Sequence, residues 1–193
     1  MKPIARDDVM GREQYERERP EFRRRIMVLK GKRRVPFGDH ATIHFETRDT
    51  MLYQVQEMLR TEGSWERPGA VGDEIEAYNA IVPAGRELSG TLMLEYETPE
   101  ERAVRLGELV GLDRHLFLHI GSTEPVAAIF DNAQVSPTRV SSVQYVKFHL
   151  SEVQAALVKA SGTVLRLVAD HPAYRAQAVL SEETRRELAS DLD

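Results

Sequence analysis

Polar side chains with possible chemical roles are concentrated between residues 44 and 60. His44 and Glu46 are two residues apart in a segment that alternates like a β-strand, so they share one of its faces. A carboxylate beside an imidazole could hold a divalent metal ion or transfer a proton if other groups converge on it. Further candidates follow at the next turn and at helical spacings of three: Arg48, Gln54, Glu57 and Arg60.

Both a structural and a functional interpretation fit this polar group. The polar face of a strand is commonly just hydrated, and Glu57 and Arg60 are spaced as an ordinary i, i+3 ion pair worth about 0.2–0.5 kcal/mol. The first amides of the predicted helix, together with Arg48, would favour a carboxylate or phosphate. We expect Glu46 to neutralise Arg48, which would make the junction structural. If Arg48 and Glu57 line a cleft instead, the charge is held for a ligand.

The histidines do not predict a metal site. His40 and His44 are four residues apart, as are His115 and His119, but both pairs lie in predicted strands. On a strand this spacing separates the side chains by about 13 Å, which is too far to share one ion. The sequence also lacks an HExxH motif and paired ExxH motifs. We therefore predict no metal site, and the residues identify no cofactor.

A basic run near the start is the second place where function could lie. It consists of Arg23, Arg24, Arg25, Lys30, Lys32, Arg33 and Arg34. Such residues neutralise phosphates. However, residues 1–34 hold 12 of the 26 basic but only 6 of the 31 acidic residues, so the remainder carries −11 and repels a polyanion. This charge distribution therefore disfavours nucleic-acid binding, and a protein partner or self-association fits the segment better.

Composition sets the class of the protein. Hydrophobic residues make up 41% of the 193, enough for the core of one ordinary domain. The absence of cysteine excludes disulfides, thiolate metal sites and a cysteine nucleophile. No apolar run approaches the roughly 20 residues that span a bilayer, and the start lacks a signal-peptide pattern. We expect one cytoplasmic domain over residues 1–193, with a basic helical segment at 1–34 and a mixed body at 35–193.

The strand and helix that must position the polar group have the clearest patterns. Alternation predicts a half-buried strand over 40–47. Apolar spacing predicts a helix over 50–62, capped by Asp49 or Thr50 and packed on that strand. Its buried side chains are expected to include Val55, Met58 and Leu59.

The remaining elements define the fold class. Before the strand, we predict a helix over 7–19 that ends at Pro20, and another over 20–30 that ends at Gly31. Later helices are predicted at 71–82, 98–110, 151–159 and from 181, and strands at 88–95, 115–120, 124–131, 139–150, 163–169 and 174–179. Two adjacent strand pairs and no βαβα alternation predict an α+β fold, a mainly antiparallel sheet packed with helices after an N-terminal helical segment.

Several segments give the sequence a family resemblance. They include Phe45-Glu46-Thr47-Arg48-Asp49-Thr50, Glu76-Ala77-Tyr78-Asn79, Leu88-Ser89-Gly90-Thr91 and His171-Pro172-Ala173-Tyr174. With them, most of the chain resembles the bacterial domain-of-unknown-function family 3501, and Asn79 joins the candidate residues. The resemblance implies a gene neighbourhood of diiron and iron–sulfur oxidoreductases. It thereby implies an accessory or partner-binding role in a redox or oxidative-stress pathway.

Two alternatives remain open beside this role. The polar group could belong to an enzyme, or to a protein that binds a small ligand or a metal. Less strongly, residues 23–34 could bind nucleic acid. The choice depends on whether the polar side chains converge in space.

Overall fold

The strands of the chain form two antiparallel sheets. The computed structural model describes residues 1–131 and 138–192. Its strands are β1 (Arg34–Phe37), β2 (Ala41–Glu46), β3 (Glu87–Leu94), β4 (Leu116–Ile120), β5 (Val126–Ala127), β6 (Ile129–Phe130), β7 (Val143–His149), β8 (Leu165–His171) and β9 (Tyr174–Val179). One sheet has the order β1-β2-β3-β7-β6, and the other has the order β5-β4-β8-β9. The mainly antiparallel architecture predicted from the sequence is confirmed.

Helices flank these sheets, and α2, α4, α5 and α6 begin at side-chain caps. They are α1 (Arg12–Arg33), α2 (Arg48–Glu62), α3 (Ala70–Asn79), α4 (Pro99–Glu108), α5 (Glu152–Lys159) and α6 (Glu182–Ala189). The side chains of Thr98, Ser151 and Ser181 each accept a hydrogen bond from the third residue of the helix that follows. No helix within the described ranges has the length and apolar character that a bilayer crossing requires.

The main core lies between the two sheets. Alternate residues of each strand face it, among them Ile43 and Phe45 of the first sheet and Leu118 of the second. Gly90 permits this packing, because a Cβ atom there would lie 2.9 Å from the side chain of Ile43. The run from β5 to β6 passes through Ala128 from the second sheet into the first. The two sheets are thus joined through continuous chain as well as through side chains.

A second apolar cluster joins α2, α3 and the first residues of the chain. Val55 and Leu59 of α2 pack with Val71 of α3 and with Ile4, and Tyr145 of β7 borders the cluster. Met58, which we predicted to be buried, is only partly covered. The buried face of α2 therefore packs on α3 and the N-terminal segment, not on the strand at 40–47 as predicted.

The junction between β2 and α2 differs from the prediction in two details. The helix begins at Arg48 and is capped by Thr47, whose hydroxyl accepts the N–H of Thr50 at 3.2 Å, rather than by Asp49 or Thr50 itself. The strand is also buried on both faces, since Thr42 and Glu46 on its polar side are covered. Helices α1 and α2 approach that side, which a single strand pattern does not reveal.

The first helix is continuous where two helices were predicted. It passes through Pro20 and Gly31 without a break. Proline removes one intrahelical hydrogen bond, yet the buried side chains Tyr15, Phe22 and Ile26 form one stripe that continues across it. Packing of this stripe against α2 therefore outweighs the local signals that predicted a boundary.

Two later strands also differ from their predicted bounds. The strand predicted at 139–150 begins at Val143, and the segment 124–131 is divided between the two sheets as β5 and β6. Strand β1 was not predicted, and α3 ends at Asn79 although its helix was predicted to continue to residue 82. The remaining helices and strands lie within a few residues of their predicted bounds.

Candidate functional site

Glu57 is bound on both carboxylate oxygens by side chains of α1. Arg19 donates from Nε and Nη2 at 2.7 and 2.8 Å, and the Tyr15 hydroxyl donates at 2.6 Å. The hydrogen bond from Arg19 is the main reason that the pKa of Glu57 is lowered to about 2, although burial opposes the shift. The hydrogen-bonding capacity of Glu57 is thus used to connect α1 with α2.

Arg48 and Arg60 also bind carboxylates outside α2. Arg48 pairs with Asp8 and not with Glu46, so the expected neutralisation of Arg48 by Glu46 is wrong. Arg60 pairs with Glu16 at 2.9 Å, so the expected pair between Glu57 and Arg60 is wrong as well. Both arginines connect α2 to the N-terminal segment.

Asn79 binds the N-terminal segment through its side-chain amide. It accepts the N–H of Ile4 at 2.7 Å and donates to the carbonyl of the same residue at 2.9 Å. Gln56 makes an equivalent pair with the backbone of Met10 at 2.7 and 3.3 Å. Four of the six predicted residues, Arg48, Glu57, Arg60 and Asn79, therefore hold residues 4–19 in place and do not converge on one cavity.

Glu46 lies elsewhere, on the outer face of the five-stranded sheet. Its side chain is buried, and its two oxygens accept hydrogen bonds from the hydroxyls of Thr50 at 2.6 Å and Thr91 at 2.7 Å. Within the described part of the chain, no lysine, arginine or histidine lies at ion-pair distance from it. The hydroxyl of Ser89, opposite Glu46 on β3, is buried and lacks a hydrogen-bond partner among those residues.

Strand register places other polar side chains beside Glu46. His44 on β2 faces Thr91 on β3, which faces Tyr145 on β7, so these three side chains form one row across the sheet. One row further from Glu46, Met93 faces Val143. On β3 and β7 the outer face therefore changes along the strands to the apolar Met93 and Val143, about 13 Å from the row of Glu46, while Thr42 of β2 keeps the last row polar at its β2 side.

This row forms the floor of an open cleft of 290 Å³. Lys30 of α1, Met51 and Gln54 of α2 and Tyr78 of α3 form its sides. We call it the sheet-face cleft, and its complete lining is Lys30, His44, Glu46, Met51, Gln54, Tyr78, Thr91, Met93, Val143 and Tyr145. Of the predicted residues, Glu46 and Gln54 line it.

Burial sets the protonation of the groups in the sheet-face cleft. It lowers the pKa of His44, and the nearby charge of Glu46 only partly opposes the shift, so the imidazole is neutral at neutral pH. Its Nδ1 atom is buried without a hydrogen-bond partner among the described residues. Burial raises the pKa of Tyr78 and of Tyr145, so both phenols keep their protons. The cleft thus contains a neutral imidazole and two protonated phenols beside Glu46 and Lys30.

These groups suit polar binding and proton transfer better than metal coordination. A neutral imidazole accepts or donates a proton near neutral pH, and a carboxylate can orient a cationic group. Over residues 1–131 and 138–192, no group of three or more histidine and acidic side chains is placed to hold a metal ion.

Two other histidines, His115 and His171, meet at one end of the second sheet. His115 bonds Asp170 through Nδ1 at 2.8 Å, and its ring stands edge-on to that of His171 at 5.2 Å. His171 is itself occupied, because Nε2 contacts the carbonyl of Val110 at 3.1 Å while Nδ1 accepts the N–H of Ala173. This end of the second sheet is held by local hydrogen bonds.

Members of the basic run have acidic or aromatic neighbours. Arg33 is buried and binds Asp191 through two hydrogen bonds, of 2.6 and 2.8 Å. Lys32 pairs with Glu187, Arg24 with Glu21, and Arg25 lies over the ring of Phe22. Three of the seven basic residues in this run therefore have a carboxylate partner within the chain.

Sequence reasoning missed most residues of the sheet-face cleft. Thr91 and Tyr145 lie in segments that were predicted as strands, but only strand pairing shows that they flank His44. Lys30 was assigned to the basic run, and Tyr78 to an apolar helical face. Alternation on β3 was the one available signal for Thr91, because it places Thr91 on the face opposite Leu88 and Leu92.

Comparison with known proteins places the chain in a family. The model of the family described as "Protein of unknown function (DUF3501)" matches residues 3–192. The chain belongs to this family. Among curated proteins, none is significantly similar to it.

A solved structure supports the fold of this DUF3501 member. The crystal structure of a novel protein of unknown function from Burkholderia pseudomallei K96243, at 1.90 Å resolution, is 32% identical in sequence. The match covers 100% of both chains with a TM-score of 0.93. The two proteins therefore share the fold over their whole length, and neither description names an activity.

Proposed function

We propose that this DUF3501 protein binds a small polar molecule in the sheet-face cleft, with Glu46 as its principal contact. One observation carries the proposal: Glu46 is buried at the cleft floor, bound by two hydroxyls, with no cation at ion-pair distance in the described ranges. A buried carboxylate is costly unless it is paired and hydrogen-bonded. A donor group on a ligand would complete its coordination.

The imidazole of His44 supports the same function. Its Nδ1 atom is left unbonded by the described residues. Buried polar groups in proteins nearly always have partners. A polar ligand in the cleft supplies such a partner, whereas an apolar molecule would leave this atom unsatisfied.

The proposal can be tested by ligand-observed NMR with a mixture of free amino acids, aliphatic diamines, hydroxy acids and monosaccharides. We expect at least one component to bind the wild-type chain and to lose binding in Glu46→Gln. Glu95→Gln is the matched control, since Glu95 also accepts a threonine hydroxyl, that of Thr42 at 2.9 Å, but lies outside the cleft lining. Equal binding by the Glu46→Gln variant, or binding of no component, would overturn the proposal.

A second proposal concerns the partner-binding role predicted from the sequence. Met27 and Val28 of α1 are exposed, by 39% and 60%, beside Arg23 and Arg24. Apolar side chains rimmed by arginine fit the acidic surface of another protein. The redox pathway itself comes only from the family resemblance.

This second proposal needs a comparison of two baits. In a pull-down, one protein that is retained by the wild-type chain but not by the Met27→Ser/Val28→Ser variant, with all other retained proteins unchanged, would support this second proposal. If both baits retain the same proteins, α1 is not the binding face. Sedimentation that shows a dimer broken by these substitutions would assign the face to a second copy of the chain.

A further inference from the structure

The sheet-face cleft contains two opposite charges that are not paired with each other. Glu46 lies at the floor, and Lys30 reaches the side of the cleft from the last turns of α1. Over the described residues, neither makes an ion pair. Both are at least partly buried, so each gains from a counter-charge that excludes water.

The distribution of these charges selects among ligands. A simple amine would be attracted by Glu46 but repelled by Lys30, and a simple carboxylate would meet the reverse. A molecule with both groups satisfies both side chains at once. The neutral state of His44 is compatible with either group, because a neutral imidazole donates from one nitrogen and accepts at the other.

The apolar end of the cleft adds a third requirement. Met93 and Val143 lie two residues along the strands from the row of His44, and both line the cleft. Such side chains bind the aliphatic or aromatic part of a ligand. A purely polar zwitterion would leave this surface uncovered.

We infer that the ligand class of the sheet-face cleft is the amino acid-like zwitterion, with its ammonium group on Glu46, its carboxylate on Lys30 and an apolar side group over Met93 and Val143. This inference rests on the proposed function, since it identifies the molecule that the same cleft binds.

The test uses matched sets of three molecules, measured by isothermal titration calorimetry. One set is free leucine, isopentylamine, which lacks the carboxylate, and isocaproate, which lacks the amine. The other is free phenylalanine, phenethylamine and phenylpropanoate. We expect one of the zwitterions to bind the wild-type chain about tenfold or more tightly than either of its analogues, the factor that one charge-assisted hydrogen bond contributes.

Two variants test which side chain binds the ammonium group of the ligand and which binds its carboxylate. Glu46→Gln should abolish the advantage of the zwitterion over the carboxylate, and Lys30→Met should abolish its advantage over the amine. Glu95→Gln should change neither. Two measurements show that each variant is still folded. One is its thermal unfolding, and the other is its binding of the analogue that does not contact the replaced side chain.

The outcomes separate the inference from the proposed function. Two outcomes would contradict the zwitterion and leave the cleft as a binding site. In the first, an analogue binds as tightly as its zwitterion. In the second, only a hydroxy acid or a monosaccharide binds, and it loses affinity in Glu46→Gln. If neither these molecules nor the wider mixture binds, both fail.

Discussion

The polar side chains of α2 lie on two parts of the helix surface, one at the sheet-face cleft and one against α1. Gln54 lines the sheet-face cleft, whereas Glu57 and Arg60, on a different part of the same helix, bind α1. A spacing of three residues keeps side chains close on a helix, but it does not decide which neighbour they contact. Here α1 supplies charged partners for both, so a pair within the helix is not formed.

Glu57→Gln is expected to lower the free energy of unfolding by about 1–3 kcal/mol at neutral pH, because Arg19 loses its charged partner. Urea denaturation measures this loss. Glu62→Gln, an exposed position on the same helix, should change the stability by less than about 0.5 kcal/mol. Equal losses in both variants would contradict the role of Glu57.

The same carboxylate predicts a pH dependence. The pKa of Glu57 is lowered in the folded chain from an ordinary 4.5 to about 2, so its contribution is complete above pH 4.5 and is lost as the pH falls towards 2. The stability difference between the wild type and Glu57→Gln should therefore shrink over this interval. A difference that stays constant down to pH 2 would show that the charge of Glu57 does not stabilise the fold.

Among the elements, α1 shows how packing overrides local signals. Pro20 and Gly31 both lie inside the helix and are exposed, and no atom outside the helix would contact a Cβ atom added to Gly31. The cost of both residues is therefore local to the helix. The stripe that contains Tyr15 and Ile26 compensates for it by packing against neighbouring elements.

Replacing these two residues should stabilise the protein. We expect Pro20→Ala to raise the free energy of unfolding by roughly 1–3 kcal/mol and Gly31→Ala by about 0.5–1 kcal/mol. Arg17→Ala, exposed on the same helix, serves as the control and should have an effect below about 0.5 kcal/mol. Thermal unfolding that shows a loss of stability in Pro20→Ala would mean that the helix requires the proline.

Helices and strands could be predicted from the sequence where their signals come from residues close together in the chain. The sheet-face cleft could not be predicted in this way. The caps at Thr98, Ser151 and Ser181 and the alternation around Ile43 depend on residues a few positions apart. The sheet-face cleft depends on pairings such as His44 with Thr91 and Thr91 with Tyr145, which join segments about 50 residues apart. The partners of Arg48 and Asn79 lie in the N-terminal segment, and no spacing rule relates them.

At the scale of the whole molecule, a buried ion pair joins α1 to the residues that follow α6. Arg33 is 2% exposed and its partner Asp191 is 1% exposed at the side chain, and Arg33 also donates to the carbonyl of Glu187 at 2.7 Å. Burial raises the pKa of Asp191 more than Arg33 lowers it, which shows the desolvation cost of this pair. The pair nevertheless defines how the two helices dock.

Replacing one member of this ion pair should lower the free energy of unfolding more than replacing both members with apolar side chains. Asp191→Ala leaves Arg33 buried without its partner and should lower the free energy of unfolding by about 3–5 kcal/mol, whereas Arg33→Met/Asp191→Leu should recover most of the loss. Urea denaturation compares the two. Glu183→Gln is the control at an exposed site on α6. A double variant as unstable as the single one would show that packing of the apolar replacements fails at this site.

The contact between Arg33 and Asp191 also has a consequence for biosynthesis. The two residues are 158 positions apart, and every strand of both sheets precedes Asp191, so the ribosome must synthesise all of these strands before Arg33 can pair with it. Until Asp191 leaves the exit tunnel, the end of α1 must keep its guanidinium hydrated and therefore stays undocked. Nascent chains arrested before Asp191 should consequently be cleaved by protease near residues 30–34, and chains in which Asp191 has left the exit tunnel should resist cleavage there.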